Sequence, residues 1–538
     1  MKVSTLTTAA MALLGSTASA AKTSQRLSKS EYAQSLYDYS MQVSDSRYDS
    51  SYNYIWFQDN GQWSVRFTSW YIPGLLHRGD VKTAIAAIES VLAAQLNTDF
   101  NAPWYGTWKL SPDEPNPTPN GPLYPPTIYG SYDPNWREFE FSHLLPNSIV
   151  ARIENALEAA AIGGMRRNGT FPIDDNLTLG YSNPGLMRTL TTGWAGKRKN
   201  NAKLIEFAQQ QGEDLLKLFR RDDNGLGEYN APNYYGIDIW ALAANIKYGP
   251  SDLPMTKNAE YILREMFKDI AAHYNPYLGN MVGPYDRAYS RDATAHSQIT
   301  SMVMWGVFGR GQFGEPPLGE ADLLYDIAQG AAFALVMDVI APTIDKKTAA
   351  ALTAKGPWKG ERYISKTIYD NLETNKGRNI TSWVSQNVMI GGQTVSNYSN
   401  HGDQYVPAVV QWASDPSRKP YAYLGWFSLY PDSMSVTSKV SANRLVLSYP
   451  DATAPGSQRF TFALSGIPPS WTLGEKHVVT GLESLPCLSV NVQAPGLQKL
   501  PVTYGTTLRD HWIYNVTYAV PEGFKGSPSV TLDMKYTC

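Results

Sequence analysis

The sequence predicts a multidomain α+β protein, in which an N-terminal (α/α) helical toroid is followed by a C-terminal antiparallel β-sandwich. Helical segments joined by polar loops recur up to about residue 378, without the strand–helix alternation of a parallel sheet. Short segments with a period of two then follow, between turns rich in Gly, Pro and Ser. A chain of 538 residues also exceeds one typical core, which favours two domains.

The helical half is predicted from apolar residues that recur every three to four positions. Residues 81–96 show this spacing at Ile85, Ile88, Val91 and Leu92, as in an amphipathic helix. Further helices are predicted at 145–162, 203–219, 236–248, 257–273, 294–308 and 319–339. Residues 22–50 are polar and Ser-rich, and we interpret them as an N-terminal arm. The Pro-rich segment 111–126 predicts a long loop.

The C-terminal half is predicted from alternation of apolar and polar residues. The predicted strands are 442–450, 459–467, 477–482, 487–494, 512–520 and 529–536. We therefore assign residues 21–378 to a catalytic helical toroid and residues 379–538 to the β-sandwich.

Residues 1–20 have the pattern of a secretory signal peptide. Lys2 precedes an apolar stretch, and Ala18-Ser19-Ala20 fits a cleavage site with small residues. No later apolar run reaches the roughly 18 residues that span a bilayer. The pattern predicts a secreted, extracellular protein without a membrane span.

Two further features fit a secretory route. Five Asn-x-Ser/Thr sequons predict surface glycans at Asn168, Asn176, Asn379, Asn397 and Asn515. The two cysteines, Cys487 and Cys538, could form one disulfide near the end of the chain. Two cysteines are too few for a zinc cluster or a disulfide scaffold.

Composition and missing motifs exclude several functions. The net charge is −2, from 46 basic and 48 acidic residues, and no clustered basic patch indicates a nucleic-acid partner. Phosphate-loop, zinc-protease, nucleophile-elbow and dinucleotide motifs are all missing, and the seven His are dispersed. We therefore expect no cofactor and no metal. The 34 Tyr and 15 Trp favour a cleft for carbohydrate or another small-molecule substrate.

Two clusters of aromatic and charged residues in the first third of the chain are candidate substrate contacts. In segment 60–80, Trp63 or Trp70 could stack on a sugar ring and Arg66 could hold a carboxylate. Trp70 could equally pack in the core while the cations are solvated. In segment 132–146, Asn135 and Arg137 are further candidates, although this segment could also serve only to begin a helix.

A third cluster, GLGEYNAPNYYGIDIWAL, occupies residues 225–242. Adjacent Tyr residues and Asn on a loop that enters an apolar helix are typical of a pocket floor. The candidates here are Glu228, Asn230, Asn233 and Tyr234 as substrate contacts and Tyr235 as a catalytic residue. The alternative is a helix cap with packed tyrosines.

A fourth cluster, NMVGPYDRAYSRDATAH, occupies residues 280–296. Its candidate catalytic residues can donate or accept protons or carry positive charge: Tyr285, Arg287, Tyr289 and His296. We interpret the remaining charged residues as bracing for them: Asp286, Arg291 and Asp292.

The order of these features resembles secreted fungal toroid proteins and the toroid-plus-sandwich polysaccharide lyases of the heparinase and alginate-lyase type. The resemblance is carried by the signal peptide, NWRE, EYNxPxYYG, GPYDRAY and the C-terminal strands. It implies β-elimination on a uronic-acid polymer, in which the substrate carboxylate is neutralised, a base removes the C5 proton and an acid protonates the leaving oxygen. The candidate neutralisers are Asn230, Asn233 and Arg287; the candidate bases are Tyr235 and His296; the candidate acids are Tyr285 and Tyr289.

Three other functions stay open at this point. An inverting glycoside hydrolase would need two carboxylates roughly 6.5–9.5 Å apart, and the eligible residues are Glu138, Glu228, Asp238 and Asp286. A toroid dehydratase or isomerase would act on a small secondary metabolite. A non-catalytic carbohydrate-binding protein would show an aromatic surface strip.

Overall fold

A computed structural model describes residues 31–57, 61–118, 141–167, 177–286, 288, 293–294, 298–311, 313, 327–354, 358–373, 375, 377–394, 406–418, 422–429, 435–450, 452–453, 456–508 and 511–538. The predicted signal peptide at residues 1–20 lies outside these residues. So do the sequons and site candidates Asn168, Asn176, Asn397, Asn135, Arg137, Arg287, Tyr289 and His296. Within the described ranges, no helix is long and apolar enough to cross a membrane.

The N-terminal region is built from α-helices. Their bounds are α1 Glu31–Asp45, α2 Val65–His77, α3 Val81–Ala93, α4 Asn147–Arg166, α5 Ser182–Arg198, α6 Ala202–Arg221, α7 Pro232–Tyr248, α8 Pro254–His273, α9 Gln298–Phe308, α10 Gly330–Ala334, α11 Met337–Ile340 and α12 Lys346–Thr353. Short 3-10 helices span Ser142–Leu144 and Ala341–Thr343.

These helices form an inner and an outer layer. Helix α7 is buried from Tyr235 to Asn245, so it lies in the inner layer together with α2 and α5, which are also buried on most faces. Helices α3, α6 and α8 bury one face only and follow α2, α5 and α7 through short turns at 78–80, 199–201 and 249–253. This alternation confirms the predicted helical toroid.

Helices α1 and α5, which the sequence patterns missed, bury small or polar residues. Helix α5 contains three glycines, yet a Cβ at Gly193 would lie 2.3 Å from the Leu253 side chain. Close packing there offsets the low helix propensity of glycine. Helix α1 lies in the segment interpreted as an arm. Its Ser40 is buried and donates a hydrogen bond to the Ile327 carbonyl at 2.6 Å.

The C-terminal region is built from antiparallel strands. Short strands also occur within the helical region, and these are β1 Tyr48–Asp49, β2 Tyr54–Phe57, β3 Gln62–Ser64, β4 Gln95–Leu96, β5 Thr107–Trp108, β6 Tyr274–Asn275 and β7 Asn280–Met281. The C-terminal ones are β8 Arg362–Ile368, β9 Arg378–Val384, β10 Val388–Thr394, β11 Ala408–Asp415, β12 Tyr423–Leu429, β13 Thr437–Ser441, β14 Arg444–Ser448, β15 Arg459–Ser465, β16 Ser484–Leu485, β17 Leu488–Gln493, β18 Gln498–Lys499, β19 Thr503–Leu508, β20 His511–Ala519 and β21 Ser529–Tyr536.

Two sheets form the predicted sandwich. A nine-stranded sheet has the order β18-β20-β15-β12-β11-β10-β9-β8, with β19 also pairing with β20. A five-stranded sheet has the order β13-β14-β21-β17-β16. Side chains such as Trp412, Phe427, Leu447 and Leu532 form the core between them. The β-sandwich prediction is therefore confirmed.

The nine-stranded sheet begins before the domain boundary that we predicted at residues 378 and 379. Strand β8 at Arg362–Ile368 is its edge strand and buries only its last residue fully, so it lacks a clear apolar pattern. Strands β10 and β11 are buried on both faces, and consequently do not alternate apolar with polar residues. The predicted strand 477–482 is irregular and follows a π-helical turn at Ser470–Gly474.

The two cysteines form the predicted disulfide, with Cα atoms of Cys487 and Cys538 5.0 Å apart. Two described sequons lie in strands of the nine-stranded sheet. Asn379 is exposed, whereas the side-chain oxygen of Asn515 in β20 is buried. Glycosylation at Asn379 stays a prediction, and the placement of Asn515 argues against a glycan there.

The helical region and the nine-stranded sheet are joined by buried polar contacts. Gln411 of β11 donates hydrogen bonds to the Met281 carbonyl at 2.9 Å and the Tyr285 hydroxyl at 2.7 Å. Arg378 of β9 pairs with Asp286 at 3.2 Å and also donates to the Gly227 carbonyl. These contacts fix the loops of the helical region against the sheet, because each buried polar group needs its partner.

We expect Arg378→Met to destabilise the protein by about 3–5 kcal/mol, since it breaks the buried ion pair between Arg378 and Asp286 at 3.2 Å. The matched control is Arg444→Met, which removes the half-exposed pair with Asp533 and should cost about 1 kcal/mol or less. Denaturant unfolding followed by tryptophan fluorescence measures both variants. Equal midpoints for the two variants would contradict a bracing role for Arg378.

A second prediction concerns Asp222, which is buried at the end of α6 and accepts a hydrogen bond from the Tyr369 amide at 3.2 Å. Burial raises its pKa from 3.8 to about 7. A raised carboxyl pKa means that the folded state binds more protons, so the stability of the wild type falls as pH rises from about 4 to about 7.

Asp222→Asn keeps the acceptor without the charge. Its gain in stability over the wild type should be absent at pH 4, grow towards pH 7 and then level off, at about 1 kcal/mol or more. Thermal unfolding across that pH range checks this, and a gain independent of pH would argue against a titrating Asp222.

Candidate active site

The N-terminal ends of the inner helices lie together at one end of the toroid. Thr300, the third residue of α9, donates a hydrogen bond to the carbonyl of Pro232, the first residue of α7. Gly236, one turn into α7, packs on Ile299 of α9. The inner helix α2 is followed through a short turn by the outer helix α3, just as α7 is followed by α8. We therefore infer that α2 runs in the same direction as α7 and that its N-terminus lies at this end as well. We call this end the mouth.

Helices α5 and α7 are joined at the mouth by Glu228. One carboxylate oxygen accepts hydrogen bonds from the Asn183 amide at 3.2 Å and the Asn183 side chain at 2.9 Å. The Glu228 amide donates to the Ser182 hydroxyl at 3.2 Å. A negative group at the start of α5 is favoured by the helix dipole. Glu228 is 1% exposed, so it braces the mouth rather than facing a substrate.

The predicted neutraliser Asn230 and the predicted base Tyr235 are both buried. Asn230 has a positive φ of 50°, which Asn tolerates, and its side chain donates to the Val282 and Pro284 carbonyls at 2.8 and 2.7 Å. The backbone N–H of Asn230 donates to the Tyr235 hydroxyl at 2.7 Å. Burial raises the pKa of Tyr235 well above its usual value. This placement argues against Tyr235 as a base and against Asn230 as a substrate contact.

Two more predicted residues lie in packed surroundings. The hydroxyl of Tyr285, fully buried, donates to the Met281 carbonyl at 2.5 Å and accepts from Gln411. It therefore braces the sheet contact instead of serving as an exposed acid. Trp70 is fully buried against Trp240, with ring centroids 5.1 Å apart, which favours the core role over stacking on a sugar.

Four predicted substrate contacts remain half-buried at the mouth. Trp63 and Arg66 lie just before and within the first turn of α2, and Asn233 and Tyr234 lie in the first turn of α7. The Tyr234 ring contacts that of Tyr181 at 6.4 Å. The structure thus brings candidates from two sequence clusters to one end of the toroid.

Trp63 belongs to an aromatic surface on the small sheet β1–β3. Its ring lies 4.0 Å from that of Tyr52 and 5.1 Å from that of Trp56, both exposed. Its indole N–H donates to Asp49 at 3.3 Å. Exposed rings with polar edges suit stacking on sugar faces.

A buried carboxyl group lies one turn deeper in α7. Asp238 is fully buried, and neither of its carboxyl oxygens has a hydrogen-bond partner among the described residues. Burial raises its pKa well above the usual value, and the negative charge of Glu228 raises it further. Burial and the charge of Glu228 thus both favour the neutral form of the Asp238 carboxyl group.

Sequence reasoning missed Asn183 and Tyr181 because it missed helix α5. The segment YSNPG does contain a signal, since Ser, Asn and Pro in succession are common where a helix begins. Among the residues that the structure describes, no three His, Cys, Asp or Glu side chains are grouped as metal ligands.

Some solved structures are similar to this chain. Heparinase III has a TM-score of 0.44 at 10% identity, with 94% of this chain and 85% of that chain covered. The Streptomyces coelicolor A3 chondroitin AC lyase, in complex with chondroitin sulphate, has 0.46 at 10% identity, with 95% and 81% covered. A Paenibacillus xanthan lyase has 0.36 at 9% identity, with 94% and 57% covered. At these values the similarity identifies neither a reaction nor a substrate.

Comparison with family models covers both regions of the chain. The model described as Domain of unknown function (DUF8769) matches residues 34–338, and the model described as Domain of unknown function (DUF8770) matches residues 360–535. No curated protein matches the sequence. Since the first match spans more than half of the 538 residues, the chain belongs to the DUF8769 family.

Proposed function

We propose that this protein is a secreted enzyme that cleaves a uronic-acid-containing polysaccharide by β-elimination at the mouth of the toroid. The observation that carries the proposal is the set of half-buried groups there: a guanidinium from Arg66, an amide from Asn233 and a phenol from Tyr234. The set offers a cation and an amide to neutralise the substrate carboxylate, and a phenol to transfer the proton.

Neutralisation of the substrate carboxylate is assigned to Arg66 and Asn233. Both are second residues of inner helices, α2 and α7, where the helix dipole also favours a negative ligand. The Asn233 side-chain oxygen is buried without a partner, and its amide nitrogen donates to no other described residue. That nitrogen is therefore available to a carboxylate oxygen.

Proton transfer is assigned to Tyr234. Its phenolate takes the proton from C5 and becomes a phenol, the bond from C4 to the leaving oxygen breaks with its electron pair going to that oxygen, and a double bond forms between C4 and C5. The first turn of α7 stabilises a phenolate better than a helix interior would. The same phenol, or a group of segment 287–297, then returns a proton to the leaving oxygen. Tyr289 stays a prediction for that second role, and His296 stays a prediction as a base.

The burial of the carboxyl groups favours elimination over inverting hydrolysis. Of the eligible acids, Glu228, Asp238 and Asp286 are each at most 2% exposed, and Glu138 lies outside the described residues. Glu228 is held by Asn183, and Asp286 by Arg378. A hydrolase would need two such groups in contact with the glycosidic bond and a water molecule.

The first test is incubation with polygalacturonate, alginate, heparan sulfate, chondroitin sulfate and xanthan, while the ultraviolet absorbance of unsaturated uronate is followed. We expect absorbance to grow with at least one polymer. Tyr234→Phe should lower kcat by about 100-fold or more, because it removes the phenolic oxygen that takes the proton from C5. Tyr248→Phe, at the far end of the same helix, is the matched control and should retain activity. Full activity of a folded Tyr234→Phe variant would remove Tyr234 from the mechanism.

A second test separates elimination from hydrolysis. Asp238→Asn replaces a buried carboxyl group that takes no part in the proposed elimination by an amide of similar shape, so the elimination rate should stay near that of the wild type. In an inverting hydrolase that uses Asp238, the same change would cost about 100-fold to 10,000-fold. Release of reducing ends without ultraviolet absorbance, abolished by Asp238→Asn, would establish hydrolysis instead.

A further inference from the structure

A groove on the β-sandwich shares no lining residue with the mouth. The nine-stranded sheet extends beyond the five-stranded sheet that covers it, and strands β15, β19 and β20 line the uncovered part. Residues 466–480, which were predicted in part as a strand, form the opposite wall. The groove has a volume of about 760 Å³.

Three aromatic rings share one face of this groove. Tyr504 and Tyr514 are directly opposed across β19 and β20, and Trp512 lies two residues before Tyr514 on the same strand face. The Tyr504 ring lies 6.5 Å from that of Trp512 and 6.1 Å from that of Tyr514. Tyr504 is 71% exposed and Trp512 58% exposed. Large rings are rarely left in water on a sheet face that otherwise packs a core.

Polar groups without protein partners accompany the rings. Thr472, Thr480 and Tyr514 line the groove, and their hydroxyls make no hydrogen bond to another described residue. They can therefore pair with the hydroxyls of a ligand. An apolar peptide or lipid would cover these oxygens without satisfying them, at a cost in binding free energy.

The charge of the groove selects among hydroxylated ligands. None of the described lining residues is Lys, Arg, Asp or Glu. Its one His, His477, stacks on Trp471 with centroids 4.5 Å apart and faces Glu475 at 3.1 Å. An acidic polymer would find no cation to neutralise its carboxylates here, in contrast with the mouth.

We propose that this groove is a second carbohydrate site, which binds a neutral oligosaccharide chain by stacking on Trp512 and Tyr504. It differs in ligand from the acidic polymer that the mouth is proposed to cleave. Such a site would tether the enzyme to a mixed polysaccharide matrix while the mouth acts on its acidic component. The proposal does not depend on the reaction at the mouth.

Native affinity electrophoresis of the full chain tests this proposal. The gels contain hydroxyethyl cellulose, laminarin, xyloglucan or glycol chitin as neutral probes, and polygalacturonate or alginate as acidic probes. We expect retardation in at least one neutral gel. Trp512→Ala with Tyr504→Ala should weaken that binding about tenfold or more, since two stacking contacts are lost.

The controls separate stacking from loss of folding. Trp512→Phe keeps a ring and should retain most of the binding. Phe100→Ala removes an equally exposed ring from the helical region and should change nothing. All variants should unfold at the temperature of the wild type and keep the activity at the mouth.

Three outcomes would overturn the proposal. They are free migration in every neutral gel, unchanged retardation of the double variant, and retardation in acidic gels alone that the double variant loses. A dimer in solution that Trp512→Ala dissociates would assign the groove to a second copy of the chain instead. None of these results depends on whether the mouth eliminates or hydrolyses.

Discussion

The arrangement of this protein depends on satisfying the polar groups buried where the toroid meets the nine-stranded sheet. Arg378, Asn230 and Gln411 each hold backbone carbonyls of the helical region, and none of the three is more than 4% exposed. Arg378 and Gln411 lie in the sheet, and their bonds can form only in one relative placement of helices and sheet. The same bonds hold the loop before α7, and therefore the position of Asn233 and Tyr234 in its first turn.

Much of the fold could be predicted from the sequence because periodicity reports one-sided burial. Helices α6 and α8 bury one face and were predicted almost to their ends. Helix α5 and strands β10 and β11 are buried on nearly all sides, so no period marks them. What specified those elements is packing against distant residues, as between Gly193 and Leu253, and one sequence does not reveal such pairs.

The candidate site was predictable in its composition and not in its roles. Trp63, Arg66, Asn233 and Tyr234 were named from local clusters, and they do lie at the mouth. Tyr235 and Tyr285 have the same chemistry as Tyr234, but their side chains face the core. Two adjacent tyrosines on a helix point about 100° apart, so one of them faces the core whenever the other faces the mouth.

Strand β8 has a consequence for how the folded protein behaves in concentrated solution. It is an edge strand, and the unpaired backbone edge of a strand invites other chains to add to the sheet. Here Arg362 donates to the Ala271 and Tyr274 carbonyls, and Lys366 pairs with Asp269 at 2.9 Å. These contacts attach the edge strand to the helical region, and covering an edge is one of the ways in which proteins prevent other chains from adding to a sheet. The junction that builds the mouth thus also protects the protein from edge-to-edge polymerisation.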